Sequence, residues 1–465
     1  MCAMRKLLTA AALALVCTPL AAQDPPAEVS RYDTALAAGY KALMLCGAIA
    51  NAERAGAFRT PESVIAWELA GIQDPQSQVI SDLPYKIVRS PGSKNLASQI
   101  MQVEVQYAPE MRPRIAVHES QRGCSIQPIE GGPPPISTLR KPETFVDDWQ
   151  TDWQDGVWSG VADAAFSGAY GEGTRTTAFV LVRDGKLIGE QYAPDFGPNV
   201  PQRTWSVAKS IAATLVGAAA YRGEVTLTPP TDTFPPAVIP AWNQIGDPRR
   251  AITLDQLLRM ASGRYSDTPG SRTDPVYWGG ATVDERAAAW PLIRTPGTIY
   301  RYANNDTLMA VKAIQPTFKA NPPAEFFAKL GMKNTVAERD WQGNYVLSSQ
   351  VWSTARDLAR LGQLYLTGGV WNGERLLPED WVDYVSAPSG PQPEQGPFGY
   401  GAGFWLLDQS EGVPSDTFAA FGNRGQYVVI IPSRNVVIVR RGEDPAGSRF
   451  DIAGFTRDVL AELAE

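Results

Sequence analysis

Two stretches far apart in the chain carry the strongest β-patterning: TAFVLVRDGKLIGEQYA at 177–193, and GQYVVIIPSRNVVIVRRG at 425–442. In the first, apolar runs flank Asp184 and Gly185, a dipeptide suited to a tight hairpin. In the second they flank the turn formed by Pro432, Ser433, Arg434 and Asn435, with another strand-like run, GYGAGFWLLD, just before it. Between them, from Trp205 to about Trp381, the pattern is mostly helical and broken by Pro- and Gly-rich loops. Strands at both ends with helices inserted between them imply one antiparallel sheet closed by distant segments, plus a helical subdomain. The cleft between sheet and subdomain is then the natural site.

Upstream lies a different pattern. Residues 31–72 read as helical, with TPESVIAWELAGI restarting after a Thr-Pro-Glu opening, and residues 85–127 turn to short alternating runs such as QVEVQY and RIAVHE. GGPPP at 131–135 has linker composition. The expected organisation of the 465 residues is therefore a signal peptide at 1–22, an α+β accessory domain at 23–140 and the main domain at 141–465. The signal consists of Arg5 and Lys6, the run LLTAAALALVCTPL, and the small residues Ala21 and Ala22. The run is short for a membrane span, so a cleaved leader is expected over an anchor, with the mature protein periplasmic or secreted and without an integral span. Export favours a disulfide between Cys46 and Cys124, two buried free thiols being the alternative.

Charge and histidine content narrow the chemistry. Without the signal, 40 basic side chains face 49 acidic ones, a formal charge of −9, with no basic cluster, which argues against a nucleic-acid partner. His118 is the single histidine. Sites built from several imidazoles are excluded, no metal is expected, and a Ser-His-Asp triad would depend wholly on a residue lying in a strand-like run far from any candidate serine. A structural role is expected for it.

RTWSVAKSIAATL, at 203–215, sets Ser206 three residues before Lys209 at the start of an apolar helix. The spacing alone occurs by chance. On a helix the two share a face, and the free N–H groups and dipole of the first turn favour negative charge there. A serine becomes a nucleophile only when a base takes its proton, and an amine serves only when its pKa is lowered. In PGTIYRYANND, Tyr302 offers a phenol to relay a proton and Asn304 an amide to orient the lysine. Taken singly, a core tyrosine and a turn asparagine explain the same residues.

Together, WSVAKS and YRYAN resemble the serine hydrolases of the penicillin-recognising fold: class C β-lactamases, family VIII carboxylesterases and 6-aminohexanoate-dimer hydrolases. ITLDQLLRMASG (252–263), RTPGT and STARDLARLGQLYLTGGVWNGERLLPEDWV (353–382) follow in the order that family shows, so the similarity spans roughly 145–465. LMLCG and RGC resemble the leader domain of some members. The resemblance implies an α+β, β-lactamase/transpeptidase-like fold: an antiparallel sheet flanked by helices, with an inserted helical subdomain. It implies Ser206 as acylated nucleophile, Lys209 as its base or electrostatic partner, Tyr302 as proton shuttle and Asn304 as orienting residue. An oxyanion hole would come from the backbone N–H groups of Ser206 and Gln426. No cofactor is implied.

Where the family carries Lys-Thr-Gly or His-x-Gly, this chain has Asn423, Arg424 and Gly425. Asn423 lacks the positive charge that holds a β-lactam or peptide carboxylate, and alternation along a strand points Arg424 away. The three, with Trp205 and Tyr265, are expected at the substrate. The reading is an exported esterase or amidase acting on a small molecule. The alternatives are a β-lactamase or D-alanyl peptidase, and a binding protein that keeps the fold without chemistry.

Overall fold

The computed structural model describes residues 29–92, 98–120, 122–130, 149–152, 158–226, 237–267 and 273–464. The expected signal, the GGPPP linker and the boundary at 140 lie outside them.

Helix α1 (Arg31–Arg54) begins at Ser30, whose hydroxyl accepts from the Asp33 amide, and residues 37–52 are all buried. By length and composition it could cross a membrane, yet 89% of its most apolar window lies inside the protein. A helix apolar all round is a core helix when other elements surround it. Strands β1 (Tyr85–Arg89), β2 (Ile100–Val105), β3 (Arg114–Glu119) and β4 (Gly123–Ile126) form an antiparallel meander against it. Cys46 on α1 and Cys124 on β4 are disulfide-bonded, with Cα atoms 6.0 Å apart. His118 on β3 is buried, its Nδ1 3.1 Å from the Ile100 carbonyl oxygen, and burial lowers its pKa. Its place is structural, as its surroundings in the sequence suggested.

The other side of α1 faces the rest of the chain. A Cβ on Gly39 would lie 2.1 Å from the Trp278 carbonyl oxygen, so only glycine permits this approach. Next to it, Tyr40 stacks on Trp278 with ring centroids 4.3 Å apart. Leu43 and Leu45 share one continuous apolar core with Ile211, Leu358 and Trp352. The N-terminal unit is thus fused to the remainder through its core.

The main sheet contains β5 (Thr176–Arg183), β6 (Lys186–Tyr192), β7 (Gly399–Tyr400), β8 (Trp405–Leu406), β9 (Phe418–Gly422), β10 (Gln426–Ile431) and β11 (Val436–Gly442). Its order is β7-β8-β9-β10-β11-β5-β6, antiparallel throughout. The closure expected between the chain's two ends is the β11–β5 pairing, with Val436 opposite Arg183. Asp184 and Gly185, at φ 51° and 75°, make the hairpin turn whose two positive φ values match the strands' twist. Ala178, Val180 and Val182 enter the large core, whereas Phe179 and Leu181 face a second core shared with helices α2 (Ser159–Phe166) and α6 (Ile452–Glu462). Burial on both faces explains why these strands read as unbroken apolar runs.

The inserted segment carries α3 (Val207–Tyr221), α4 (Asn304–Ile314) and α5 (Ala355–Leu366), and α5 lies across the sheet on β5, β10 and β11. It is less helical than its pattern suggests. A small sheet joins Gln202–Arg203, Val351–Ser353 and Val336–Ala337, because pairs this short leave no period to detect.

Candidate active site

Ser206 occupies the N-cap of α3 without making a capping bond, so its hydroxyl is left for other partners. Trp205 before it holds φ 50°, a conformation that costs a bulky residue about 1–3 kcal/mol and must be imposed by its surroundings. The Arg203 guanidinium lies 3.6 Å from the centroid of the Trp205 ring, and Tyr277 meets that ring edge-on. One turn along, Lys209 is 2% exposed. Its Nζ donates to Ser206 Oγ at 3.1 Å, to the Ser348 carbonyl at 3.2 Å and to Asn304 Oδ1.

The three acceptors around Lys209 are uncharged, and this governs its titration. Desolvation pushes its pKa down to about 7, with the Asp267 carboxylate opposing. As a neutral amine Lys209 keeps two N–H groups for Asn304 and Ser348, leaving the lone pair for the proton of Ser206. Asn304 is itself fixed: Nδ2 donates to Thr273 Oγ1 at 2.9 Å, and its backbone N–H donates to Asp267.

Tyr302, two residues before the start of α4, completes the cluster. Its ring centroid is 4.9 Å from Lys209 Nζ and 5.3 Å from that of Trp405. Burial raises its pKa to about 12, with hydrogen bonds to Ser206 and Trp405 pulling the other way. Near neutral pH the phenol keeps its proton while the amine titrates, so its neutral form and the acid can stand side by side against one hydroxyl. Tyr400, buried and edge-on to Tyr302 at 5.9 Å, backs the phenol.

The structure thus brings Ser206, Lys209, Tyr302 and Asn304 together, with Trp205 alongside. The third-motif residues are placed differently. The part of the β9–β10 hairpin nearest the nucleophile is Gly422, where a Cβ would lie 3.1 Å from the Ser206 amide nitrogen and 2.4 Å from the Thr204 oxygen. Gln426, expected to supply the second oxyanion amide, lies opposite Gly422 on a strand flanked by β9 and β11, and its side chain bonds inward to Arg424 O and Gly442 O. Gly422, rather than Gln426, is the residue that packs against the Ser206 amide.

Arg424 is also corrected as a substrate contact. It is 7% exposed, pairs with Glu443 at 2.7 Å and donates to the carbonyls of Trp67 and Ala70. Gly425 makes its close approach to Arg440 and Asp444, where a Cβ would collide, and so does not face a ligand. Asn423 is exposed at the hairpin tip. Tyr265 is 36% exposed and packs on Trp290 at 5.7 Å. Sequence reasoning missed Asp267, Thr273, Trp405 and the Ser348 carbonyl. The first three stand outside any motif, and a carbonyl has no residue-type signature.

Comparison with known proteins places the fold in a family. Residues 162–440 match the family model described as Beta-lactamase. A 6-aminohexanoate-dimer hydrolase from Paenarthrobacter ureafaciens is 24% identical over 324 residues, covering 63% of this chain and 79% of the relative. A Bacillus anthracis protein whose suspected activity is that of a 6-aminohexanoate-dimer hydrolase aligns with TM-score 0.55 and 20% identity over 69% of this chain and 87% of its own. A penicillin-binding protein homologue from Caulobacter crescentus aligns with TM-score 0.50 and 16% identity over 67% and 99%. With the match spanning more than half its length, the chain belongs to the β-lactamase family and is a serine hydrolase of that family.

Proposed function

We propose that the protein is an exported hydrolase that cleaves a carboxylic ester or small amide through an acyl-enzyme on Ser206. Lys209, in its neutral form, takes the Ser206 proton as the hydroxyl oxygen attacks the carbonyl. The oxyanion forms against the Ser206 amide and a second amide from residues 422–423, and donors so aimed contribute roughly 3–4 kcal/mol each. Tyr302 passes a proton to the leaving group and recovers it from Lys209. Water then repeats the sequence to release the acid, so base and shuttle end as they began. The observation that carries this reading is the set of contacts at Lys209: a buried amine held by neutral acceptors, 3.1 Å from a serine hydroxyl. Export is supported by the Cys46–Cys124 bond, of a kind that persists in oxidising compartments.

The substrate proposed is one without a carboxylate beside the scissile bond, since Asn423 is uncharged and Arg424 is committed elsewhere. The decisive experiment pairs short p-nitrophenyl esters with nitrocefin. Ester turnover that disappears in Ser206→Ala, with slow or no nitrocefin hydrolysis, is expected. Nitrocefin turnover as fast as that of the esters would return the β-lactamase reading.

A further inference from the structure

The family match begins at residue 162, which leaves the N-terminal unit without a role, and besides its packing on Trp278 and Trp352 it contacts two segments next to Ser206. One enters the nucleophile. Arg203, three residues before Ser206, is 1% exposed; it donates from Nη1 to Tyr40 Oη on α1 at 3.2 Å and from Nε to the Ser349 carbonyl at 3.2 Å. The same guanidinium lies over the ring of Trp205, the residue held at positive φ. The other is the turn after Gly422. There Arg424 reaches from the hairpin into the N-terminal unit, donating to Trp67 O at 2.9 Å and Ala70 O at 2.7 Å, while Glu443 neutralises it. A nearby backbone bond, Ala446 N–H to Gly71 O at 2.7 Å, ties the same two parts together.

These are the two backbone segments whose amides flank the attacked carbonyl in the acyl-enzyme reading, on which the inference rests. Each carries a buried arginine with one nitrogen that donates to the N-terminal unit, Arg203 Nη1 to Tyr40 and Arg424 Nη2 to the Trp67 and Ala70 carbonyls. A buried guanidinium is a costly way to add stability, and apolar side chains of similar volume often do as well. What it adds is direction, because its planar fork accepts only one placement of the carbonyls around it. A third arginine, Arg441, joins the two segments directly, donating from Nε to Gln426 Oε1 at 2.6 Å and from Nη2 to the carbonyls of Gln202 and Arg203 at 3.0 Å.

We propose that the N-terminal unit is a brace for the acylation site: through Tyr40 on Arg203 and the residue 67 and 70 carbonyls on Arg424, it sets the spacing of the two amide-bearing segments. Arg203 and Arg424 are positioning residues, and substrate does not touch them. A displacement of about 1 Å at such a site costs up to a hundredfold in rate, so the brace acts on the acylation step rather than on substrate affinity.

The test uses the full chain and a fluorophosphonate probe, following Ser206 modification by intact mass alongside ester kinetics. Arg424→Met is expected to slow labelling and kcat by roughly tenfold to a hundredfold with KM changed less than about threefold. Tyr40→Phe, which keeps the stack on Trp278, is the milder variant and should slow labelling several-fold even where Arg424→Met fails to fold. In both, the pH midpoint should stay that of the wild type, because Lys209 keeps its neighbours. Lys41→Met is the control: Lys41 donates to Ser81 O and Leu83 O inside the N-terminal unit, so it should lower the melting temperature without changing the labelling rate. Wild-type labelling rates in Tyr40→Phe and in folded Arg424→Met, or equal slowing by Lys41→Met, overturn the brace. A wild-type protein unlabelled at Ser206 instead removes the acyl-enzyme reading and the brace with it.

Discussion

Lys209 and Arg424 are both buried cations close to the segments around Ser206, and they have opposite fates. Lys209 is surrounded by a hydroxyl, an amide oxygen and a carbonyl, with no carboxylate in direct contact. Desolvation, opposed by Asp267, lowers its pKa to about 7, which suits it to the proposed role of base. Arg424 sits against Glu443 at 2.7 Å, with carbonyls on its Nη2. It becomes a fastener. Burial alone does not make a cation chemical: the partners decide.

The comparison breaks most visibly at the serine. Ser206→Ala should reduce ester turnover by about 10⁴ or more, the scale seen when a nucleophile is lost from a concerted set; residual turnover within tenfold of the wild type would mean another group is acylated. Lys209→Arg should follow, with a loss on the order of 10³, since a guanidinium cannot release its proton near neutrality. Wild-type rates in that variant would show that Lys209 acts only by its charge. Tyr302→Phe should cost about 10²–10³, more for poor leaving groups than for p-nitrophenol, and a uniform loss across leaving groups would remove the shuttle role.

Two smaller effects sharpen the contrast. The wild-type kcat/KM should rise with pH through about 7 as Lys209 loses its proton, then stay level to at least pH 10, because Tyr302 titrates near 12. A profile flat from pH 5 to 9 with acylation limiting would contradict the assignment. Asp267 is the one carboxylate that raises the Lys209 pKa. Removing its charge in Asp267→Asn should therefore move the acidic limb to lower pH, by about a unit or less at the distances typical of screened charges. An upward movement would show that Asp267 acts chiefly through Asn304.

Much of this was legible in the residues. The sheet closed from two ends of the chain was readable because its strands are apolar on both faces, and the Asp184 and Gly185 turn because its backbone demands those residue types. That Ser206, Lys209, Tyr302 and Asn304 lie together was readable because WSVAKS and YRYAN resemble motifs of a known family. The third motif was misread where chemistry runs through the main chain. Any residue can supply an amide, so Gln426 could not be told from its neighbours until strand pairing set it opposite Gly422. The partners of Arg424, more than 350 residues away in sequence, are carbonyls that no pattern announces.

The shared core bears on how this enzyme is handled in the laboratory. Trimming it to the part its relatives have in common would strip α1 from Trp278 and Trp352, open a broad greasy flank to water and leave Arg424 facing solvent where two carbonyls had been. Such a shortened version should come out of expression insoluble or chaperone-bound, and anyone adapting the enzyme should keep residues 31–126 with the rest of the fold.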